Sequence, residues 1–324
     1  MKKEFPVKQT FGLTAPEVSE KITVPGFDAP GPFTPAVDPE YQFRKELLSD
    51  LLAWLLCGRE GLYLTGPTGA GKSSLVCQVA ARLNYQVQRV TGHGRMELAE
   101  LSGHYTALGG DLLWQDGPLT VAMRHGHWFL LDEIDLLEPG VLAGLNTVIE
   151  GAPLVLAENG GEVVKPHPEF RFIATGNTAG GGDASGLYQG TLRQNLAFMD
   201  RFWVVEVDYP PPSDEENILE RAVPQLPRDI RGRMVQVAMQ VRKLFTGQDS
   251  EGPQIEVTMS TRTLVRWGRL AMWFYNMKAP NPIAHALDRA LGFRAEPTSR
   301  QVLHELVQRE LGAGTAAKAQ VEAI

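Results

Sequence analysis

Cysteine and long apolar runs are scarce in this sequence of 324 residues. The two cysteines, Cys57 and Cys77, lie in apolar, helix-like stretches without metal-binding spacing, so we expect both to be buried core thiols. No stretch approaches the roughly 20 apolar residues of a membrane span, and no apolar run follows the basic start. These shortages predict a soluble protein of the reducing cytoplasm that has no membrane partner.

Positive charge is also in short supply. The sequence has 31 Lys and Arg against 38 Asp and Glu, which gives a formal net charge of −7. Contacts to phosphates along nucleic acid need clustered Lys and Arg, so this balance argues against nucleic acid as a partner. The Asn-Lys-x-Asp motif that reads guanine is missing, which argues against a GTPase.

The order of apolar and proline-rich segments predicts the domain organisation. Residues 1–40 are rich in proline, which removes backbone donors, and are expected to be an arm without regular elements. Residues 41–209 alternate strands with helices, which predicts an α/β core with a parallel five-stranded sheet and helices on both faces. Residues 210–312 are predicted to form a helical lid that opens with a capping box at Ser213–Glu216, and residues 313–324 a flexible tail.

The loop GPTGAGKSS carries the strongest chemical signal, because it follows a predicted strand and precedes a predicted helix. Its spacing matches the P-loop, in which glycines let backbone N–H groups surround a phosphate and the helix N-terminus attracts anions. We expect Lys72 to reach the β- and γ-phosphates of ATP and Ser73 to hold Mg²⁺. The predicted nucleotide-binding residues are Gly66, Pro67, Thr68, Gly69, Ala70, Gly71, Lys72, Ser73 and Ser74.

Two further strand ends carry polar residues that suit the same site. Asp132 ends a predicted buried strand and is expected to join Ser73 in holding the Mg²⁺ of ATP, while Glu133 would polarise the attacking water. A carboxylate that activates water favours an ATPase over a kinase. Asn177 follows the next apolar strand, and such ends of parallel strands converge on the ligand, so it is predicted to orient this water. An ordinary turn asparagine is the alternative.

The order of these motifs resembles that of the AAA+ ATPases. Met199-Asp200-Arg201-Phe202 stands where that family has its arginine finger, so the resemblance implies that Arg201 completes the site of a neighbouring subunit. Ser260-Thr261-Arg262 resembles the second sensor, which implies that Arg262 contacts the γ-phosphate. A surface arginine at a helix end is the alternative for both. The resemblance also implies a homo-oligomeric ring, expected to be a hexamer.

Two inserted segments resemble the MoxR branch of this family. Residues 105–117 stand where the branch has its helix-two insert, and residues 154–168 read as a β-hairpin that turns at Asn159–Gly161. Other stretches resemble the CobS-like ATPase subunits of aerobic cobaltochelatase, namely Val24–Phe27, Val79–Asn84, Pro166–Arg171, Gly186–Thr191 and Met259–Thr263.

The resemblance implies an ATP-hydrolysing motor or chaperone that remodels or activates a partner protein or metalloenzyme. In relatives this partner often carries a von Willebrand factor A domain. Two other motor functions stay open: the ATPase subunit of a cobalt or magnesium chelatase, and a DNA-associated AAA+ motor. A nucleotide-dependent scaffold is the non-enzymatic alternative.

Overall fold

The computed structural model describes residues 1–13, 19–58, 60–182, 188, 190–247 and 254–312. The predicted tail and half of the Gly186–Thr191 stretch lie outside the described residues. The described residues form two compact units. The first takes most of the chain up to Asp208, and the second takes the chain from Tyr209 on together with residues 40–42 and 68–70. No helix in the described ranges is long and apolar enough to cross a membrane.

The first unit combines strands with helices, whereas the described part of the second unit contains helices. The strands in the described part of the chain are β1 (Lys2–Pro6), β2 (Thr23–Phe27), β3 (Gly61–Thr65), β4 (Val87–Thr91), β5 (Gly103–Leu108), β6 (Asp111–Asp116), β7 (Trp128–Asp132), β8 (Leu154–Leu156), β9 (Glu162–Val164), β10 (Arg171–Gly176) and β11 (Phe202–Glu206). The helices there are α1 (Val7–Thr10), α2 (Lys45–Cys57), α3 (Lys72–Leu83), α4 (Leu98–Ser102), α5 (Pro118–His125), α6 (Pro139–Ile149), α7 (Leu196–Met199), α8 (Pro212–Ala222), α9 (Arg228–Thr246), α10 (Thr261–Asn276), α11 (Pro282–Ala290) and α12 (Pro297–Leu311).

The central sheet has five parallel strands in the order β11-β3-β10-β7-β4. The predicted α/β fold with a parallel five-stranded sheet is therefore confirmed. Strands β3 and β7 are buried along their whole length, as their near-continuous apolar runs predict for strands covered on both faces. All strands of a parallel sheet run in the same direction. The residues that follow β3, β7 and β10 are therefore brought together at the carboxyl ends of the strands.

The N-terminal segment contains regular structure that its prolines did not predict. Strands β1 and β2 pair antiparallel, from Lys2 opposite Phe27 to Pro6 opposite Thr23. Proline is tolerated here because both strands of a two-stranded ribbon are edge strands, where a missing N–H need not break the ladder. Gly26 lies close against α3, since a Cβ at this position would stand 2.4 Å from the carbonyl oxygen of Leu83.

Both inserted segments contain an antiparallel hairpin. Strands β5 and β6 form the first hairpin, and β8 and β9 form the second, with the Asn159–Gly161 turn between them. Arg124 in α5 lies between the two hairpins: it pairs with Asp116 of β6 and with Glu162 of β9, each at 2.7 Å. One guanidinium therefore ties both hairpins to the same helix.

The second unit is helical in its described part, from α8 to α12. The capping box predicted at its start is wrong. Helix α8 begins at Pro212 without a side-chain cap, and Glu215 is fully buried and paired with Arg242 at 2.7 Å. Because the helix starts at Pro212, Ser213 lies inside its first turn and not at the N-cap position that a capping box requires.

The prediction of two buried thiols is wrong for Cys57, which is exposed at the end of α2, whereas Cys77 is half-buried. Helix α2 buries a face made by Leu48, Leu51, Leu52 and Leu55. Cys57 stands two residues past Leu55, about 200° around the helix, and so points away from that face. Burial raises the pKa of the Cys77 thiol.

Candidate functional site

The loop between β3 and α3 has a backbone that only glycine adopts readily. Gly66, Gly69 and Gly71 have φ angles of 142°, 77° and 97°. A Cβ on Gly66 would stand 2.1 Å from the carbonyl oxygen of Val207, so a side chain would push the loop away from the residue after β11. The loop is thus shaped as a tight turn that leads directly into the N-terminus of α3, a favourable place for an anion.

Lys72 is the first residue of α3, and its ammonium group turns back into the loop. It donates hydrogen bonds to the carbonyl oxygens of Gly66 (2.6 Å) and Pro67 (3.0 Å) and to Oδ1 of Asn177 (3.1 Å). Burial lowers the pKa of Lys72 to about 8, although the nearby carboxylates, Asp135 first among them, raise it in part. The structure therefore brings the loop lysine and the predicted sensor Asn177 into contact.

Asp132 ends β7 beside the first turn of α3. Its Oδ1 accepts hydrogen bonds from the Ser73 hydroxyl and from the Thr175 hydroxyl (3.0 Å), and its Oδ2 accepts one from Nε of Arg89 (2.5 Å). A hydroxyl and a carboxylate side by side are the oxygen donors that Mg²⁺ prefers, so Ser73 and Asp132 fit this ion. Sequence reasoning missed Thr175 and Arg89, which reach Asp132 from the neighbouring strands β10 and β4.

Glu133 follows Asp132 and has a left-handed backbone, with φ 57° and ψ 42°. For a residue with a side chain this conformation costs about 1–2 kcal/mol. Its N–H donates to Oγ1 of Thr175 (3.3 Å), so β10 helps to hold the turn. Backbone strain that the surroundings maintain is typical of functional positions.

Asp135 is fully buried behind these residues, and sequence reasoning missed it. Its Oδ2 accepts hydrogen bonds from the backbone N–H groups of Asn177 (2.7 Å) and Thr178 (3.2 Å). Burial raises the pKa of Asp135, although these hydrogen bonds lower it in part. The signal that could have found it is the acidic residue two positions after Glu133, on the turn that faces the end of β10.

Arg201 lies at the amino ends of the parallel strands, whereas the phosphate-binding loop lies at their carboxyl ends. It precedes β11, whose first residue Phe202 pairs with Gly61 at the start of β3, whereas Gly66 follows the end of β3. Five strand residues span about 16 Å, which separates the two positions by the length of the sheet. The guanidinium pairs with Glu150 at 2.7 Å and lines a cavity of about 530 Å³.

Arg262 belongs to the second unit and stands in the first turn of α10. It is exposed, and its side chain makes no hydrogen bond or ion pair with another residue that the structure describes. The structure thus brings Lys72, Ser73, Asp132 and Asn177 together at the carboxyl ends of the strands. It places Arg201 at the amino ends.

Comparison with known proteins gives matches over most of the chain. Residues 61–195 match the AAA domain of the dynein-related subfamily, and residues 215–310 match the CbbQ/NirQ/NorQ C-terminal domain. The sequence is 31% identical to aerobic cobaltochelatase subunit CobS from Sinorhizobium sp, over 94% of this chain and 90% of that protein. It is 32% identical to NorQ of Paracoccus denitrificans, over 63% of this chain and 73% of that protein.

The solved structures that this chain resembles include the Thermotoga maritima RuvB Holliday junction branch migration motor. That similarity covers 76% of this chain and 66% of RuvB, with 15% identity and a TM-score of 0.46. A Cytophaga hutchinsonii protein described as an ATPase is 18% identical over 82% of this chain and 89% of its own, with a TM-score of 0.45.

Proposed function

Because the chain belongs to the MoxR-type AAA ATPases, the family of CobS, NorQ and NirQ, it binds and hydrolyses ATP, and we propose that hydrolysis drives the remodelling of one partner protein or metalloenzyme. One relative, NirQ of Stutzerimonas stutzeri, is described as a denitrification regulatory protein, which supports an activating role. In this proposal the chain assembles into a cytoplasmic ring, expected to be a hexamer, and its partner carries a von Willebrand factor A domain.

In the proposed site, Lys72 binds the β- and γ-phosphates of ATP against the N-terminus of α3. Ser73 and Asp132 hold Mg²⁺, which when bound neutralises charge on the phosphates. Glu133 accepts the proton of the attacking water, and Asn177 orients that water. The contacts of Lys72 with Asn177 and of Ser73 with Asp132 support these roles, since both pairs would face the same ligand.

One observation carries the proposal of a shared site: Arg201 and Lys72 lie at opposite ends of the parallel strands of one sheet. An arginine side chain reaches about 7 Å, less than half the length of a five-residue strand. Arg201 therefore cannot reach the loop of its own chain, which supports the proposal that a neighbouring subunit supplies the finger. A closed ring satisfies this need for every subunit at once.

The test mixes two inactive variants, Arg201→Ala and Glu133→Gln. Each alone is expected to lose ATP turnover by a factor of roughly 10³, because a finger or a base is missing from every site. Mixed in equal amounts, they should regain measurable turnover, since a site with Glu133 from one chain can receive Arg201 from its neighbour.

The matched control mixes Glu133→Gln with Lys72→Ala, whose lesions fall in the same half of the site. This mixture should stay inactive. Normal turnover by Arg201→Ala, or recovery in the control mixture only, would contradict a site shared between subunits.

A second function is favoured by the match to CobS over 94% of the chain, namely the ATPase subunit of a cobalt or magnesium chelatase. The two functions differ in their partner. The Glu133→Gln variant, which should retain ATP, can be used to capture the partner protein from the native host. Recovery of a large chelatase subunit would favour the chelatase, and recovery of a different metalloenzyme would favour the activator.

A further inference from the structure

The carboxylate of Asp132, which is proposed to hold Mg²⁺, is already bound by a cation of the protein itself. Nε of Arg89 donates to its Oδ2 at 2.5 Å. Its Oδ1 accepts from the hydroxyls of Ser73 and Thr175. An ionised carboxylate has about four acceptor positions, so most of them are taken. The negative charge of Asp132 is thus paired before any metal binds.

The position of Arg89 in the sheet explains this contact. Strand β4 lies at the edge of the five-stranded sheet beside β7. Arg89 stands opposite Leu130, two residues before Asp132, so a long side chain can reach the carboxylate diagonally. The side chain of Arg89 is 54% exposed, whereas that of Asp132 is 6% exposed. Water can therefore solvate the guanidinium when another cation binds Asp132, but water cannot solvate Asp132 itself.

Lys72 does not supply the cation that Asp132 needs. Its ammonium group donates to two carbonyl oxygens of the loop and to Oδ1 of Asn177. A buried carboxylate without a paired cation is costly, and the acidic Glu133 is the next residue. Arg89 and a bound metal therefore stabilise the same carboxylate, and each reduces what the other gains from it.

We propose that Arg89 is a positioning residue that competes with Mg²⁺ for the charge of Asp132. This inference rests on the proposed role of Ser73 and Asp132 in holding Mg²⁺. Without metal, Arg89 keeps Asp132 ionised and oriented toward Ser73. With metal bound, two cations share one carboxylate, and their mutual repulsion lowers the affinity for Mg²⁺. The metal is then held loosely enough to leave with ADP after hydrolysis.

The experiment uses Arg89→Met, which removes the charge and keeps a long side chain. Binding of a fluorescent ADP analogue to the full chain is measured over a series of Mg²⁺ concentrations. The half-saturating Mg²⁺ concentration should fall about tenfold, because the competing cation is gone. The analogue should also dissociate several times more slowly in Mg²⁺, with an unchanged rate in EDTA. Damage to the structure of the site would instead weaken binding in both conditions.

Two control variants separate the charge of Arg89 from other effects. Arg89→Lys keeps a cation on the edge strand, and its half-saturating Mg²⁺ concentration should stay within about threefold of native. Lys165→Met removes one positive charge from an exposed position elsewhere in the first unit and should change neither measurement.

An unchanged or higher half-saturating Mg²⁺ concentration in Arg89→Met would overturn the competition between Arg89 and Mg²⁺. Binding weakened equally in Mg²⁺ and in EDTA would also overturn it, because Arg89 would then only hold the structure together. Native binding that is the same in Mg²⁺ and in EDTA would remove the proposed role of Ser73 and Asp132, and the inference with it. The native chain therefore distinguishes failure of the metal site from failure of the role of Arg89.

Discussion

The carboxylate of Asp135 accepts a 2.7 Å hydrogen bond from the backbone N–H of Asn177. Asp135 stands on the turn after β7, and Asn177 follows β10, so this bond joins the turn that carries Glu133 to the residue proposed to orient water. The N–H of Thr178 donates to the same oxygen at 3.2 Å. Asn177 is therefore held by its backbone, which leaves its side chain to contact Lys72.

Replacing Asp135 should disturb hydrolysis more than binding. Asp135→Ala removes the acceptor of two backbone N–H groups, so the side chain of Asn177 is no longer held in one orientation. We expect ATP turnover to fall roughly tenfold, which corresponds to ~1.4 kcal/mol, with affinity for an ATP analogue changed less than about twofold. Asp135→Asn keeps one acceptor oxygen and should retain more turnover. Native turnover by Asp135→Ala would show that this bond does not position Asn177.

The left-handed backbone of Glu133 predicts that glycine is a more stable replacement than alanine at this residue. Glu133→Gly and Glu133→Ala both remove the carboxylate and should abolish turnover. Glycine adopts φ 57° without a steric penalty, whereas alanine does not, so the glycine variant should be more stable than the alanine variant by about 1 kcal/mol. Denaturant unfolding of both variants tests this. An alanine variant as stable as the glycine variant would mean that the turn relaxes.

Arg124 ties the two inserted hairpins, so its loss should loosen them without affecting the nucleotide site. Arg124→Met removes the partners of Asp116 and Glu162, and faster amide hydrogen exchange is expected over residues 103–116 and 154–164. ATP turnover should stay within about twofold of native. Lys165→Met is the matched control, because this lysine lies beside the second hairpin, is exposed and forms no ion pair with a described residue. Unchanged exchange in Arg124→Met would show that each hairpin is held independently.

The second unit should lose part of its stability in acid through Asp288. Burial alone would raise the pKa of Asp288, but hydrogen bonds from Arg300 and His304 outweigh it and lower that pKa below 3.8. The folded chain therefore binds this proton less readily than the unfolded chain, and the stabilisation is present above pH 3.8 and lost below it. Asp288→Asn should reduce stability by up to about 1 kcal/mol at neutral pH, with a difference that vanishes in acid. A constant difference at all pH values would contradict this origin.

The fold was predictable where a local signal and the tertiary environment agree. Strands β3 and β7 are apolar along their length because both faces of the sheet are covered, and this pattern identified them. The hairpin of β1 and β2 was not predictable, because its prolines normally break strands and only the pairing of two edge strands makes them acceptable. Ser213 and Glu216 show a similar limit: their spacing suited a capping box, but α8 begins one residue earlier, at Pro212, so Ser213 is not its N-cap.

The sequence by itself predicted a nucleotide site at residues 66–74 with Asp132 and Glu133, because glycine spacing and an acidic pair after an apolar strand require only local geometry. Tertiary structure alone decided which residues support that chemistry. Arg89, Thr175 and Asp135 reach the site from other strands and turns, and no spacing along the chain records such contacts. It also placed Arg201 a full strand length from Lys72. Strands β3 and β11 are parallel, so the residue that precedes β11 lies at the opposite end of the strands from the residues that follow β3.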